Sequence, residues 1–334
     1  MTRIAEVAKK AGVSVATVSR ALSKPEMVAA ETRALIEQVA DGLGYSPNLV
    51  ARNLRKGTSK TLGLIVTDIL NPFHAMVAKG VQDTAYRHGY SVFLCNTDED
   101  PAKEREYLQL FAGQQLRGLI IVPTERTKTN LKIVKGFPVV EFDRSSGTVG
   151  AHVVVSENRE GARAAVQHLI RAGHKRIGMV SGGKSLTTAI ERLEGYREAL
   201  EAAKIEADPH LIEPGNHRED GGFAAAKTLL SLPKAKRPTA IFAANNEMTV
   251  GAFKAARELG LRVPDDLSLV GFDDSRWAQT VEPAITVVEQ PTYEMATFAC
   301  DLLLQVLSGR DAPATVVQYP TRLIERDSVG PPRR

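Results

Sequence analysis

Two aspartates stand directly behind apolar runs, Asp143 after Val139–Phe142 and Asp273 after Ser268–Phe272. Asn245 follows a third run, Ala240–Ala243, and Arg192 opens a helical segment. Asn71-Pro72 reads as an N-cap and first helical turn, which leaves Phe73 at its edge. In open α/β sheets the strand ends and helix starts surround the crevice where ligands bind. Carboxylates and an arginine converging on a small aromatic-edged cleft suit a polyhydroxylated ligand, because each offers paired hydrogen bonds to neighbouring hydroxyls. The plain alternative is that an aspartate behind a strand only caps the next helix. Enzyme chemistry has less support. Gly178-Met179-Val180-Ser181-Gly182-Gly183-Lys184-Ser185 has the spacing of a phosphate-binding loop, and Leu269–Asp273 mimics an apolar run ending in a metal-holding aspartate, the pattern of an NTPase. That loop needs a strand before its first glycine, and here Gly178 falls inside the apolar run. There is no GxSxG and no HExxH, and the seven histidines are scattered. No catalytic residue, metal or cofactor is therefore expected. His174, beside Gly173, reads as a structural turn histidine.

The elements that must hold these residues are legible. Strand-like runs recur at Leu62–Val66, Ser91–Cys95, Gly118–Val122, Val139–Phe142, Val153–Val155, Ile177–Val180, Ala240–Ala243, Ser268–Phe272 and Ile285–Val288. Helical patterns such as Phe73–His88, Arg159–Ala172, Ile190–Ala203, Gly222–Leu230 and Met248–Leu259 lie between most of them. Buried parallel strands with helical crossovers account for this alternation, and two lobes fit better than one very wide sheet.

The first 45 residues differ. Apolar spacings of three and four mark short helices, Gly12 breaks the first from the second, and Ser14 is placed to cap the second. Ala8 and Val18 are small enough for the two helices to cross closely, and Val13 and Leu22 close a small core. This is a helix-turn-helix pattern, whose second helix would present Val15, Ala16, Thr17, Ser19 and Arg20 to a major groove. Arg20 can donate two hydrogen bonds to guanine, Val15 and Ala16 can touch thymine methyls, and Ser14, Thr17 and Ser19 suit phosphate contacts that fix register. Charge agrees. Residues 1–60 hold ten Lys/Arg against five Asp/Glu, whereas the rest is almost balanced, so the cationic surface is local to this head. Next, Ser46-Pro47 and Gly57 frame a basic and apolar helix of about ten residues, too short to be stable alone in water. The two cysteines, Cys95 and Cys300, are far apart, and no apolar run approaches the ~20 residues that span a bilayer. With no leader pattern at the start, a cytoplasmic protein without membrane contact is expected. The Gly330-Pro331-Pro332-Arg333-Arg334 tail is expected to be disordered.

Val13-Ser14 with Thr17-Val18-Ser19-Arg20, then Gly44-Tyr45-Ser46-Pro47-Asn48, closely resemble the lactose/galactose repressor (LacI/GalR) family of bacterial transcriptional regulators. The resemblance continues through Asn71-Pro72-Phe73, Gly173-His174, Arg192-Leu193-Glu194-Gly195-Tyr196, Val263-Pro264-Asp265-Asp266, Gly271-Phe272-Asp273-Asp274 and Leu323-Ile324-Glu325-Arg326-Asp327-Ser328, covering essentially the whole chain. It implies an α/β fold with an N-terminal all-α helix-turn-helix head and a two-lobed periplasmic-binding-protein-like body of parallel sheets. The head would span 1–45, a hinge helix and linker 46–60, and the effector-binding and dimerisation body 61–334. Within the body, the N-lobe would take about 61–156 and 290–320, and the C-lobe about 157–288 and 321–329.

The resemblance implies that the hinge helix docks in the minor groove with Leu54 as a wedge, Ala51 and Val50 at the hinge–hinge contact, and Asn48 and Arg55 among the DNA-binding residues. Phe73, Asp143, Arg192, His217, Asn245 and Asp273 are the effector-binding candidates. Four residues at three places depart from the family's common pattern. Asn245-Asn246 stands for Asn-Asp, Ser156-Glu157 for Asp-Asn, and His217 for an aromatic. The reading is a homodimeric, sequence-specific repressor of catabolic genes on a near-palindromic double-stranded operator, controlled by a small effector, a sugar or sugar derivative. A purine- or other metabolite-responsive regulator of the same family is the alternative. A sugar-binding transport protein fits the body but not the basic head.

Overall fold

Gly12 adopts φ +66°, a left-handed conformation that costs glycine little, and so turns the chain between the first two helices. These are α1 (Ile4–Ala11) and α2 (Val15–Ser23), followed by α3 (Ala30–Gly42). Val7, Ala8, Ala11, Val18, Ala21, Ile36 and Ala40 form their buried core, with Val13 and Leu22 packed against it. The computed structural model describes residues 4–23, 25–45, 60–114, 116–183, 185–309 and 313–333. The expected hinge helix lies outside the described residues. The chain divides at Ser59 into two units, the second being Lys60–Arg334.

In chain order this second unit builds β1 (Thr61–Val66), α4 (Pro72–Arg87), β2 (Ser91–Asn96), α5 (Pro101–Gly113), β3 (Leu119–Ile121), a short α6 (Thr127–Asn130), β4 (Val139–Phe142) and β5 (His152–Ser156). Then come α7 (Asn158–Arg171), β6 (Ile177–Ser181), α8 (Thr187–Ala202), β7 (Ile212–Pro214), α9 (Glu219–Leu230), β8 (Ala240–Ala243), α10 (Asn246–Glu258), β9 (Ser268–Phe272), α11 (Arg276–Thr280) and β10 (Thr286–Glu289). The chain ends with α12 (Thr292–Leu307), β11 (Val316–Tyr319) and β12 (Arg322–Ile324).

Two sheets result, ordered β11-β5-β4-β3-β1-β2 and β12-β10-β9-β8-β6-β7. Every pairing is parallel except β10 with β12. Each sheet therefore anchors one lobe, and the chain crosses between lobes after β5, after β10 and after β11. Central strands are buried on both faces, which is why they read as unbroken apolar runs.

All nine strand-like runs coincide with strands, and the α/β class holds. Gly178 lies inside β6, so the phosphate-loop reading fails on its first glycine. Two expectations are corrected. Arg192 does not open a helix but sits in the second turn of α8, which begins at Thr187. The terminal tail is not loose through residue 333. Buried His174 bonds Thr239 and Ser268 and lies 2.9 Å from the Gly330 carbonyl, while Arg333 pairs with Asp265 and Asp266.

Candidate functional site

On α2 the sequence pattern and the packing agree. Val18 is fully buried, while Val15 is 45% exposed and Ala16, Ser19 and Arg20 face solvent beside half-buried Thr17. Ser14 is the cap: its Oγ accepts the Thr17 N–H at 3.0 Å and contacts the Thr17 hydroxyl at 2.8 Å. The exposed ridge is thus short, small and carries one long donor, a shape that fits a groove floor. Asn48, Ala51, Leu54 and Arg55 lie outside the described residues.

In the body, Asp143 follows β4 and Asp273 follows β9, equivalent places in the two sheets. Both take positive φ, +66° and +73°, strained for a residue with a side chain and held by backbone bonds to the neighbouring strand, Asp143 N–H to Val154 O and Asp273 N–H to Val288 O. Burial pushes the Asp143 carboxyl up to about 6 against the pull of Arg144 and Arg192. Burial also raises Asp273, opposed by Arg192, by Gln290 and by the Asn246 backbone N–H. Gln290, at the second lobe crossing, donates to Asp273 at 2.5 Å and accepts from Ser156 at the first crossing. Arg192 lies 3.7 Å over the Phe272 ring, donates to Asn158 and to the Ala244 carbonyl, and faces both aspartates electrostatically.

Phe73, at the start of α4, packs against His74 and Phe142. With Asp273, Gln290, Asn246 and Trp277 it lines a cleft of about 780 Å³. A smaller chamber of about 30 Å³, room for one water, is walled by Asn71, His74, Glu99 and Arg144 from one lobe and by His217, Arg218 and Asn245 from the other. There Arg144 holds Glu99 through two bonds of 2.9 and 2.8 Å, with Asp143 3.3 Å from its Nε. Burial would raise the Glu99 carboxyl, but the Arg144 guanidinium outweighs it and holds it down to about 2. His217 and His74 are both lowered to about 3, first by burial and then by Arg144, so both imidazoles are neutral at pH 7. His217 Nε2 accepts the Gly183 N–H, and its ring comes so close to Gly182 that a Cβ there would lie 2.2 Å from its Cε1.

The six candidates therefore fall into three places. Phe73 and Asp273 line the larger cleft, His217 and Asn245 line the chamber, and Asp143 and Arg192 are buried where their charges meet Asp273. Asn245 is also a helix cap, with Oδ1 accepting the Met248 N–H and Nδ2 donating to the His217 carbonyl. Sequence reasoning missed Glu99, Arg144, His74 and Gln290, and marked Asn246 only as a departure from the family pattern. Arg144 had a signal, since it follows Asp143 directly, whereas Glu99 meets it only through the fold. Among the described residues no group of His, Cys, Asp and Glu is placed to hold a metal, and no helix is long and apolar enough to cross a membrane.

Residues 3–48 match the model of the bacterial regulatory proteins of the lacI family, and residues 166–329 match that of a periplasmic binding protein-like domain. The chain is 35% identical over 314 residues to the HTH-type transcriptional repressor PurR of Haemophilus influenzae (strain PittEE), covering 93% of each. Among solved structures it is similar to the lac repressor dimer bound to operator and the anti-inducer ONPF, with a TM-score of 0.86 at 27% identity over 98% of this chain and 99% of that one. A putative ribose operon repressor from Burkholderia thailandensis is 38% identical, with a TM-score of 0.73 over 80% of this chain and 99% of that one.

Proposed function

The chain belongs to the lacI family of bacterial regulatory proteins, and on that premise we propose that it is a homodimeric repressor of catabolic genes whose grip on a near-palindromic operator is set by a sugar bound between its lobes. The observation that carries the sugar is the convergence of opposite charges from both lobes: Asp143 lies 3.3 Å from Arg144 Nε, and buried Arg192 faces both Asp143 and Asp273 electrostatically. Such pairs accept from one hydroxyl and donate to its neighbour, which suits a ring edged with hydroxyls. A purine, suggested by the relatives named PurR, asks instead for aromatic faces on a flat ring, which in this cleft, among the described residues, only Phe73, Trp277 and Tyr293 at its lining could offer. His217 supplies a neutral imidazole where the family commonly has an aromatic. Phe73, Asp143, Arg192, His217, Asn245 and Asp273 make up the proposed effector site.

On the DNA side, Ser14, Thr17 and Ser19 hold phosphates, Val15, Ala16 and Arg20 read bases, and Asn48, Ala51, Leu54 and Arg55 act in the minor groove. The dimer reading draws support from β2, an edge strand whose Phe93 and Leu94 are 39% and 36% exposed. Effector binding changes lobe closure, hence hinge spacing, with a coupling of about 1–3 kcal/mol. Titration calorimetry with D-ribose, other aldoses, hypoxanthine and guanine tests the effector, and gel shifts with and without the ligand found test the coupling. Binding of hypoxanthine with no response to any aldose overturns the sugar.

A further inference from the structure

Two buried asparagines from opposite lobes meet across the cleft. Asn246 Nδ2 donates to Asn71 Oδ1 at 2.9 Å, the residues being 4% and 7% exposed. The polarity of this bond is fixed. Asn71 Oδ1 also accepts the Phe73 N–H at 2.9 Å as the N-cap of α4, so Asn71 cannot turn its amide over without uncapping that helix. Whatever faces Asn71 must therefore donate. Asn246 consequently turns its Oδ1 elsewhere, and that oxygen is buried with no hydrogen-bond partner, on a residue that lines the 780 Å³ cleft beside Phe73 and Asp273. A buried acceptor left unpaired is costly, and an incoming hydroxyl would relieve it. Away from the lobe crossings, where Gln290 also bonds Asp273, two further bonds between the lobes are longer and less buried, Arg218 to the Asp98 carbonyl and the Ser145 N–H to Thr187, both at 3.1 Å.

We propose that Asn246 reads the effector and latches the lobes with one side chain: Nδ2 holds the N-lobe through Asn71, and Oδ1 accepts from a hydroxyl of the bound sugar. The ligand half rests on the sugar reading above, and the latch half stands without it. An ionised aspartate at 246, common in the family, would meet Asn71 acceptor to acceptor and could not make this latch. The residue type at 246 thus sets how far the empty cleft stays shut, and how much closure is left for a ligand to add.

The test is single-molecule energy transfer on the full chain, without ligand or DNA. Dyes sit on Glu106→Cys in one lobe and Glu201→Cys in the other, both exposed positions, while native Cys95 and Cys300 are buried. Asn246→Ala and Asn246→Asp should each lower the closed-to-open ratio about fivefold, the worth of one net hydrogen bond. Asn71→Asp keeps both acceptor roles and should leave the ratio unchanged or raise it. An Asn246→Asp chain as closed as the unsubstituted one, or an Asn71→Asp chain that opens like Asn246→Ala, overturns the latch. For the ligand half, D-ribose affinity should fall at least fivefold in Asn246→Ala, and undiminished affinity overturns it. A chain that binds no aldose at all refutes the sugar reading and the ligand half together, while the closure populations still decide the latch.

Discussion

Replacing Asp143 with asparagine keeps the shape of a side chain whose charge the fold resists. Its carboxyl is raised from 3.8 to about 6, chiefly by burial. Between those values the folded state binds more protons than the unfolded one, so stability falls as pH climbs through that window and stays lower above it. At about 1.4 kcal/mol per tenfold change in proton affinity, holding Asp143 ionised at pH 7.5 costs roughly 3 kcal/mol. Asparagine carries no such charge. Asp143→Asn should therefore melt higher than the unsubstituted protein at pH 7.5, by about 5 °C for a body of this size. The advantage should shrink as pH falls from 6 toward 4. Differential scanning calorimetry on the pair across pH 4–8 isolates this residue, because Glu99, whose carboxyl is lowered and whose stabilising effect is lost on acidification, is common to both. Effector affinity should drop at least tenfold in the same variant. A variant less stable at pH 7.5, or a difference independent of pH, would refute the argument that this aspartate is kept charged for a ligand.

Operator affinity should fall steeply between 50 and 200 mM salt, by about 10³-fold or more, and a flat response in filter binding would contradict phosphate-dominated contact. Leu54→Ala should weaken operator binding at least tenfold while effector titrations stay unchanged, the outcome expected of the proposed intercalating wedge when every proposed effector residue is kept. Gly182→Ala would put a Cβ on the His217 ring, at a cost of about 1–3 kcal/mol for the displaced imidazole. Calorimetry should show effector affinity reduced about tenfold in a chain that still folds, and normal affinity would mean that His217 does not touch the ligand.

The long apolar strands were legible because parallel strands buried on both faces leave runs that polar loops cannot imitate. Strands β7, β11 and β12 were not, being three or four residues long and only partly buried. Helix α12 was not singled out either. Packed against both α4 and a sheet, it is apolar round much of its circumference and shows little periodicity. In the candidate site, Asp143 and Asp273 could be found because their position behind a strand is a local property. The Glu99–Arg144 pair could not, since 45 residues separate its members and only sheet order brings them together. Asn246 stood out as a departure from the family pattern, but its partner lies 175 residues away. The tail misled because Pro and Gly signal disorder by composition, while its anchors, His174, Ser268, Asp265 and Asp266, belong to distant turns and strands.

The three passages of the chain between lobes make its last segment a shared possession. β11 completes the edge of one sheet and β12, starting three residues later, the edge of the other. Neither lobe is a contiguous stretch of sequence, so neither can finish folding during synthesis until β11 and β12 have left the ribosome. A premature stop anywhere upstream of residue 316 would strip a border from both halves at once, which makes the stretch from β11 to β12 as unforgiving as the middle of either sheet.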